Sequence, residues 1–122
     1  MAWFSTKVRL AILVEQAPHD SQFTESVYVF RIEERDDWAA LWDQAFQRAL
    51  ALGKQQEQEY RNDAGQRVRW RLQEIVSLDV IRSDDLDGAE IYAEPVSMRP
   101  ADMVPFDTEF WPERSQPPQT GI

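Results

Sequence analysis

One short stretch of the chain, residues 57–71, reads as two β-strands joined by a tight turn. Its turn sequence, Asn62-Asp63-Ala64-Gly65, has asparagine first and glycine fourth, which is typical of a type I turn followed by a glycine bulge. Because a hairpin turn decides which residues face one another, Asn62 is predicted to pair with Gln66. The further pairs are then Arg61 with Arg67, Tyr60 with Val68, Glu59 with Arg69, Gln58 with Trp70 and Glu57 with Arg71.

The predicted register places three arginines, Arg67, Arg69 and Arg71, on one face of the second strand; they are called the arginine ladder below. Guanidinium groups grip phosphate or carboxylate in a bidentate way, so the ladder predicts a binding site for an acidic ligand. The alternative is a solvated face on which Glu57 and Glu59 neutralise two of the arginines across the hairpin, each exposed pair contributing about 0.2–1 kcal/mol. We favour the paired face.

Two strands are predicted before the hairpin. The even positions from Phe4 to Val14 are predicted to be buried, and Ser5, Lys7 and Arg9 alternate with them, so the other face begins polar. The second strand runs from about Phe23 to Glu33 and is apolar on both faces between Val27 and Phe30. That pattern predicts a central strand whose second face is also covered.

A long helix is predicted between the second strand and the hairpin. Asp36 or Asp37 would cap its start, and Gly53 would end it in the left-handed conformation. Its apolar residues share one helical face, which indicates core packing rather than a ligand site: Trp38, Leu41, Trp42, Ala45, Ala49 and Leu52.

The second hairpin strand continues beyond the ladder, with apolar residues at even positions from Val68 to Val80, and Glu74 interrupts this face. We expect a bulge, a sheet edge or an arginine partner to accommodate that carboxylate, in preference to a functional role. Residues 84–88 are predicted as a solvated turn, because an EF-hand's ligand spacing is missing. A last strand is predicted from Ala89 to Met98.

The composition changes at Arg99, since five prolines lie between Pro100 and Pro118. They predict an extended tail without a fold of its own. Its aromatic residues Phe106, Phe110 and Trp111 are the candidate partner-binding residues. They fold back in cis over the second sheet face, they anchor in trans on a twin subunit or another protein, or the tail is disordered. In cis, they would cover Val27, Val29, Ile75, Ile81 and Ile91.

The net charge of −9 disfavours nucleic-acid binding, which relies on lysine and arginine neutralising phosphates. The chain has no cysteine and one histidine, His19, and lacks a glycine-rich phosphate loop. We therefore predict no metal site, cofactor or catalytic residue. Neither a secretion signal nor a membrane-spanning segment is evident, so a cytoplasmic location is expected.

The predicted fold class is α+β, in the order ββαβββ: a single, mostly antiparallel sheet packed on one long helix. Residues 1–98 would form the globular domain and residues 99–122 the Pro-rich tail. Strand order is left open.

Several short motifs, in this order along residues 3–93, together resemble the bacterial "domain of unknown function 4288" family. They are Trp3-Phe4-Ser5 with Lys7, Phe23-Thr24-Glu25-Ser26-Val27, the helix ending at Gly53, Glu59-Tyr60-Arg61-Asn62 with Gly65, Val68-Arg69-Trp70-Arg71, and Asp87-Gly88-Ala89-Glu90-Ile91-Tyr92. The resemblance implies a small bacterial domain with no assigned activity, so no catalytic residue is carried over.

Two classes of function follow as expectations. The first is a non-enzymatic protein-binding module of the bacterial cytoplasm, such as an acidic inhibitor or immunity-type protein, or a homodimer. The alternative is a protein that binds a small anion or metabolite, or an undetected enzyme, using Arg67, Arg69 and Arg71.

Overall fold

The computed structural model describes residues 1–81 and 104–120, the last two for their backbone only. Its strands and helix are β1 Ala2–Val14, β2 Gln22–Ile32, α1 Trp38–Lys54, β3 Gln58–Arg61, β4 Arg67–Ile81 and β5 Gln119–Thr120. Short 3-10 turns occur at Pro18–Asp20 and Pro112–Arg114.

The strands form one sheet in the order β2-β1-β4-β3, in which all neighbours are antiparallel, and β5 pairs with β4 in parallel. The α+β class, the mostly antiparallel sheet and the order ββαββ through β4 are therefore confirmed. The sequence did not predict β5. The predicted turn at 84–88, the predicted strand at 89–98 and the domain boundary at residue 98 lie outside the described residues.

The hairpin has the predicted register, with Gln58 opposite Trp70 and Arg61 opposite Arg67. Gly65 has a φ of 79°, the left-handed conformation that glycine adopts without steric cost. Its amide donates to the Asn62 carbonyl at 2.9 Å. The Asn62 side-chain oxygen accepts from the amides of Ala64 and Gln66, both at 3.0 Å, so the turn sequence and the hairpin agree.

The main core lies between α1 and the sheet, as the even-numbered face of β1 predicted. The rings of Phe4 and Phe30 stack with 5.9 Å between their centroids. The buried residues of this core are Phe4, Val8, Leu10, Phe30, Leu41, Ala45, Ala49, Leu50, Leu72, Ile75 and Leu78.

Two bulges in β4 explain how the chain accommodates Glu74. The pairing of β4 with β1 skips Val76 and then Gln73, so Val8 faces Ile75 and Leu10 faces Leu72. Each extra residue reverses the direction of the side chains that follow. The expected bulge is confirmed, but the core residue at its centre is Ile75 and not the predicted Val76.

The start of α1 confirms the predicted cap, since the Asp37 carboxylate accepts from the Ala39 amide at 3.0 Å. The prediction for its end was wrong. Gly53 lies inside the helix, which continues to Lys54, and no left-handed terminator follows. A Cβ at Gly53 would lie 2.8 Å from both methyl carbons of Leu72, so the glycine serves the close approach of helix and sheet.

Among the described residues, β2 pairs with β1 alone and lies at one end of the strand order. The strand predicted at 89–98 lies outside those residues, so the central position of β2 stays a prediction. Val27 and Val29 are partly buried.

The tail folds back in cis onto the sheet, which is one of the alternatives predicted for its aromatic residues. Val104, Phe106 and Phe110 pack with Phe23 against the buried Ala11 and Leu13 of β1. These residues lie on the sheet face turned away from α1, called the outer face below. The part of the outer face that the tail covers differs from the prediction. Ile75 was expected beneath the tail, but it lies in the core between the sheet and α1. The tail also contains a 3-10 turn and β5, where only extended chain was expected.

Candidate functional site

The arginine ladder lies on the outer face, and its two end members pair within the sheet. The Arg67 Nε donates to the Glu59 carboxylate at 2.9 Å. Arg71 donates to the Glu59 carboxylate at 3.4 Å and to the Trp70 carbonyl at 3.0 Å. The hydrogen bond from Arg67 holds the pKa of Glu59 below its usual value, and the same bond raises the pKa of Arg67.

These pairs differ in detail from the predicted ones. Glu59 lies opposite Arg69 in the register, yet its carboxylate binds the two arginines diagonal to it. Glu57 was expected to pair with Arg71, but its carboxylate accepts from the Leu72 amide at 3.0 Å. Cross-strand ion pairs therefore neutralise two of the arginines as expected, but Glu59 pairs with Arg67 and Arg71. Arg69 binds an acceptor outside the hairpin.

That acceptor is the tail. The Arg69 side chain is only 7% exposed; it donates to the Phe106 carbonyl and to the Glu109 carboxylate, both at 2.8 Å. The Phe106 ring centroid lies 5.5 Å from the guanidinium carbons of both Arg67 and Arg69, which is within the range of a cation–π contact. The two groups of candidate residues, ladder and tail aromatics, thus form one site.

The tail aromatics divide into two kinds. Phe106 and Phe110 pack against the sheet, whereas Trp111 is 63% exposed. The guanidinium carbon of Arg114 lies 5.3 Å from the Trp111 ring centroid. Trp111 therefore contributes little to tail docking and is available at the surface.

The rest of the tail follows the edge of β4 beyond the end of β3. The Ser115 hydroxyl accepts from the Ile75 amide at 2.8 Å and donates to the Pro112 carbonyl at 2.6 Å. Lys54 forms an ion pair with Glu113 and lowers the pKa of that carboxyl. β5 then pairs with Leu78 and Asp79. The tail thereby covers backbone groups that an exposed strand edge would offer to another chain.

A second charged cluster lies near the middle of the outer face. Arg9 donates through Nε and Nη2 to the Glu25 carboxylate, at 3.2 and 3.1 Å, and through Nη1 to Glu74 at 3.1 Å. The expected arginine partner of Glu74 is thus Arg9. Burial raises the pKa of Asp79, but Asp79 pairs with Ser5, at a different level of the sheet. Arg9 thus holds Glu25 and Glu74 together, and Asp79 lies apart from them.

Within residues 1–81 and 104–118, no group of three or more acidic, histidine or cysteine side chains could hold a metal ion. His19 lies in the 3-10 turn Pro18–Asp20. No helix in the described part of the chain is long and apolar enough to cross a membrane.

A family model, "Domain of unknown function (DUF4288)", matches residues 3–93, about three quarters of the chain. The chain belongs to the DUF4288 family. Comparison with curated proteins and with solved structures found no match. The match of the DUF4288 model includes β1 to β4 and the arginine ladder, whereas the tail segment that fills the ladder lies beyond it.

Sequence reasoning did not identify Phe106 and Glu109 as the acceptors of Arg69. A signal was present, because the chain pairs a basic ladder with an acidic aromatic tail. These two features are complementary in charge, and each was treated as a separate candidate site.

Proposed function

We propose that this DUF4288 protein is a non-enzymatic protein-binding module of the bacterial cytoplasm, whose contact surface is the docked tail with Trp111 at its centre. The single observation that carries the proposal is the exposed Trp111 ring. Large apolar side chains this exposed often mark interaction sites, and tryptophan is enriched among residues that dominate binding energy. The other large exposed hydrophobic residues in the described ranges are Met1 and Tyr60.

The segment that carries Trp111 is held on both sides. Arg69 binds Phe106 and Glu109 before it, and Ser115 binds the Ile75 amide after it. Preorganisation of this kind supports the proposal, because a segment already ordered loses less conformational entropy when a partner binds.

The charge of the whole chain favours a basic partner. Near Trp111, Glu109 and Glu113 are paired with Arg69 and Lys54, and Arg114 stacks on the ring, but the chain has a net charge of −9. An acidic surface speeds association with basic proteins. An acidic inhibitor or immunity-type protein fits these features, and a homodimer fits them less well because two copies repel each other.

The alternative function, binding of a small anion or metabolite or catalysis by Arg67, Arg69 and Arg71, has less support. Each ladder guanidinium already has carboxylate or carbonyl acceptors within the described residues, so a small anion would have to displace them. This alternative predicts thermal stabilisation by nucleotides or organic acids, following RT ln(1 + [L]/Kd). The stabilisation should disappear in Arg69→Ala.

Affinity capture with the full-length chain tests the proposed function. The wild type, Trp111→Ala and Tyr60→Ala serve as baits in bacterial lysate, and bound proteins are identified by mass spectrometry. Tyr60 is a matched control because it is also an exposed aromatic residue, on β3. We expect Trp111→Ala to lose a specific basic partner by about tenfold or more, as hot-spot truncations do, and Tyr60→Ala to retain it.

Two results would count against the proposal. A partner captured equally by wild type and Trp111→Ala would exclude Trp111 as the anchor. Recovery of no specific protein by any of the three baits, together with stabilisation by a small anion, would favour the alternative function.

A further inference from the structure

We propose that the arginine ladder is a receptor for an acidic, aromatic segment of another protein, and that the chain's own tail occupies this receptor as a competitor. The inference goes beyond the Trp111 surface, because it concerns the sheet underneath the tail. Its partner is defined by chemistry: an extended segment with an aromatic residue, a carboxylate three positions later and a second aromatic residue directly after it.

The first recognition element is the aromatic position. The guanidinium carbons of Arg67 and Arg69 each lie 5.5 Å from the centroid of the Phe106 ring. Two cations close to one ring select an aromatic side chain over an aliphatic one, because only the ring has a negative face.

The second element is Arg69. One of its terminal nitrogens binds a main-chain carbonyl, that of Phe106, and the other binds the carboxylate of Glu109. The carbonyl is present in any peptide, so this contact holds an extended segment in place. The carboxylate contact adds selectivity, since charge-assisted hydrogen bonds are about twice as strong as neutral ones.

The third element is apolar. Phe110 packs with the group around Ala11, Leu13 and Phe23, one residue after Glu109 in the sequence. Together these three contacts are specific for a peptide with the pattern aromatic-x-x-acid-aromatic. Arginine clusters that recognise acidic motifs are an established mode of peptide recognition.

Arg69 remains charged whether or not the tail is docked. With the tail in place its side chain is 7% exposed. Release of the tail opens the guanidinium to water or to the carboxylate of a partner segment, which can form the same charge-assisted hydrogen bond as Glu109. The receptor lies within the matched family domain, residues 3–93, and its present occupant lies outside that domain.

The covalent link gives the tail an advantage. An intramolecular segment acts on its binding site at an effective concentration that an equal segment on another molecule must exceed. A partner segment must therefore bind more tightly than the tail, and weak acidic peptides are excluded. Weakening the tail should reveal the receptor.

The test uses the full-length chain carrying Phe106→Ala and Glu109→Gln, called the open variant. The probe is a fluorescein-labelled synthetic peptide with the sequence of residues 104–116, and binding is followed by fluorescence anisotropy. A control peptide carries the same two substitutions. In the open variant, Arg69→Met removes the receptor, and Arg48→Ala on the exposed side of α1 is the matched control.

We expect the open variant to bind the probe at least about tenfold more tightly than the wild type, because the competitor is weakened. The control peptide and Arg69→Met should each lose about tenfold, as expected for a charge-assisted contact. Arg48→Ala should have no effect, and binding should weaken with salt. This set of results would support the receptor.

Three results would overturn the proposal. The folded open variant could fail to bind the probe, or bind it equally well with Arg69→Met. A wild-type dimer in light scattering that is absent in the open variant would assign the site to a second copy exchanging its tail. If the open variant does not fold, unlabelled peptide is titrated into the wild type up to a concentration on the order of millimolar, which matches the effective concentration of a linked segment, and hydrogen exchange of residues 104–118 is measured. Faster exchange supports displacement, and unchanged exchange refutes it.

Discussion

Replacement of Arg9 by methionine should destabilise the protein strongly, because it leaves a buried carboxylate without its partner. The Glu25 side chain is only 4% exposed, whereas that of Glu74 is 47% exposed. Glu25 receives two hydrogen bonds from Arg9, at 3.2 and 3.1 Å. Methionine preserves most of the apolar length of arginine, so the substitution mainly removes the charge and its donors.

The exposure of the two carboxylates determines how much unfolding free energy the substitution of Arg9 removes. Breaking a buried ion pair from one side costs about 3–5 kcal/mol, and a half-exposed pair such as that with Glu74 adds at most about 1 kcal/mol. Because Arg9 itself retains some contact with solvent, we expect a loss near the lower limit, about 3 kcal/mol. With a urea m-value of about 1–3 kcal/mol/M, the unfolding midpoint falls by about 1–3 M.

The assay is equilibrium urea unfolding followed by circular dichroism. The double variant Arg9→Met with Glu25→Gln should recover about half of the loss or more, since no buried charge remains. The matched control is Arg31→Met; Arg31 stacks on Trp3 at 5.2 Å but is exposed, so its loss should stay within about 1 kcal/mol. A cost below about 1 kcal/mol for Arg9→Met, or no recovery with Glu25→Gln, would refute the reasoning.

Two further predictions concern α1 and its contacts. Gly53→Ala should destabilise by up to about 2 kcal/mol in urea unfolding, because overpacking against the buried Leu72 costs about 1–3 kcal/mol and the helix-propensity gain offsets only about 1 kcal/mol; a more stable variant would contradict the close approach. The hydrogen bond from Lys54 lowers the pKa of Glu113. The stability that this ion pair contributes is therefore present above the usual glutamate pKa of about 4.3, and it is lost as the pH falls through the lowered pKa. Amide protection of Ser115 should therefore decrease in acid, and Lys54→Gln should reduce that pH dependence; equal behaviour of the two proteins would contradict the ion pair.

The features that could be predicted from the sequence depend on neighbours along the chain. The hairpin register follows from the turn at 62–65, and the helix start follows from the side chain of Asp37. The alternation of β1 follows from the period of a strand. In each case the residues that decide the structure lie within a few positions of one another, so composition and spacing carry the information.

The features that sequence reasoning placed wrongly depend on contacts between distant segments. Ile75 lies in the core because of the register in which β4 pairs with β1. Position 53 requires glycine because Leu72 of β4 lies so close to α1. Spacing rules do not contain these distances.

Arg69 depends on such a distant contact. Its acceptors lie 37 and 40 residues away, and the tail that supplies them also packs on the outer face. A guanidinium does not lose its proton in proteins, so a buried Arg69 needs acceptors from the protein or from a partner. In this chain the acidic aromatic tail supplies them, and any process that removes the tail must either hydrate Arg69 or replace Glu109 with another carboxylate. The receptor proposed above therefore couples release of the tail to binding of an acidic segment.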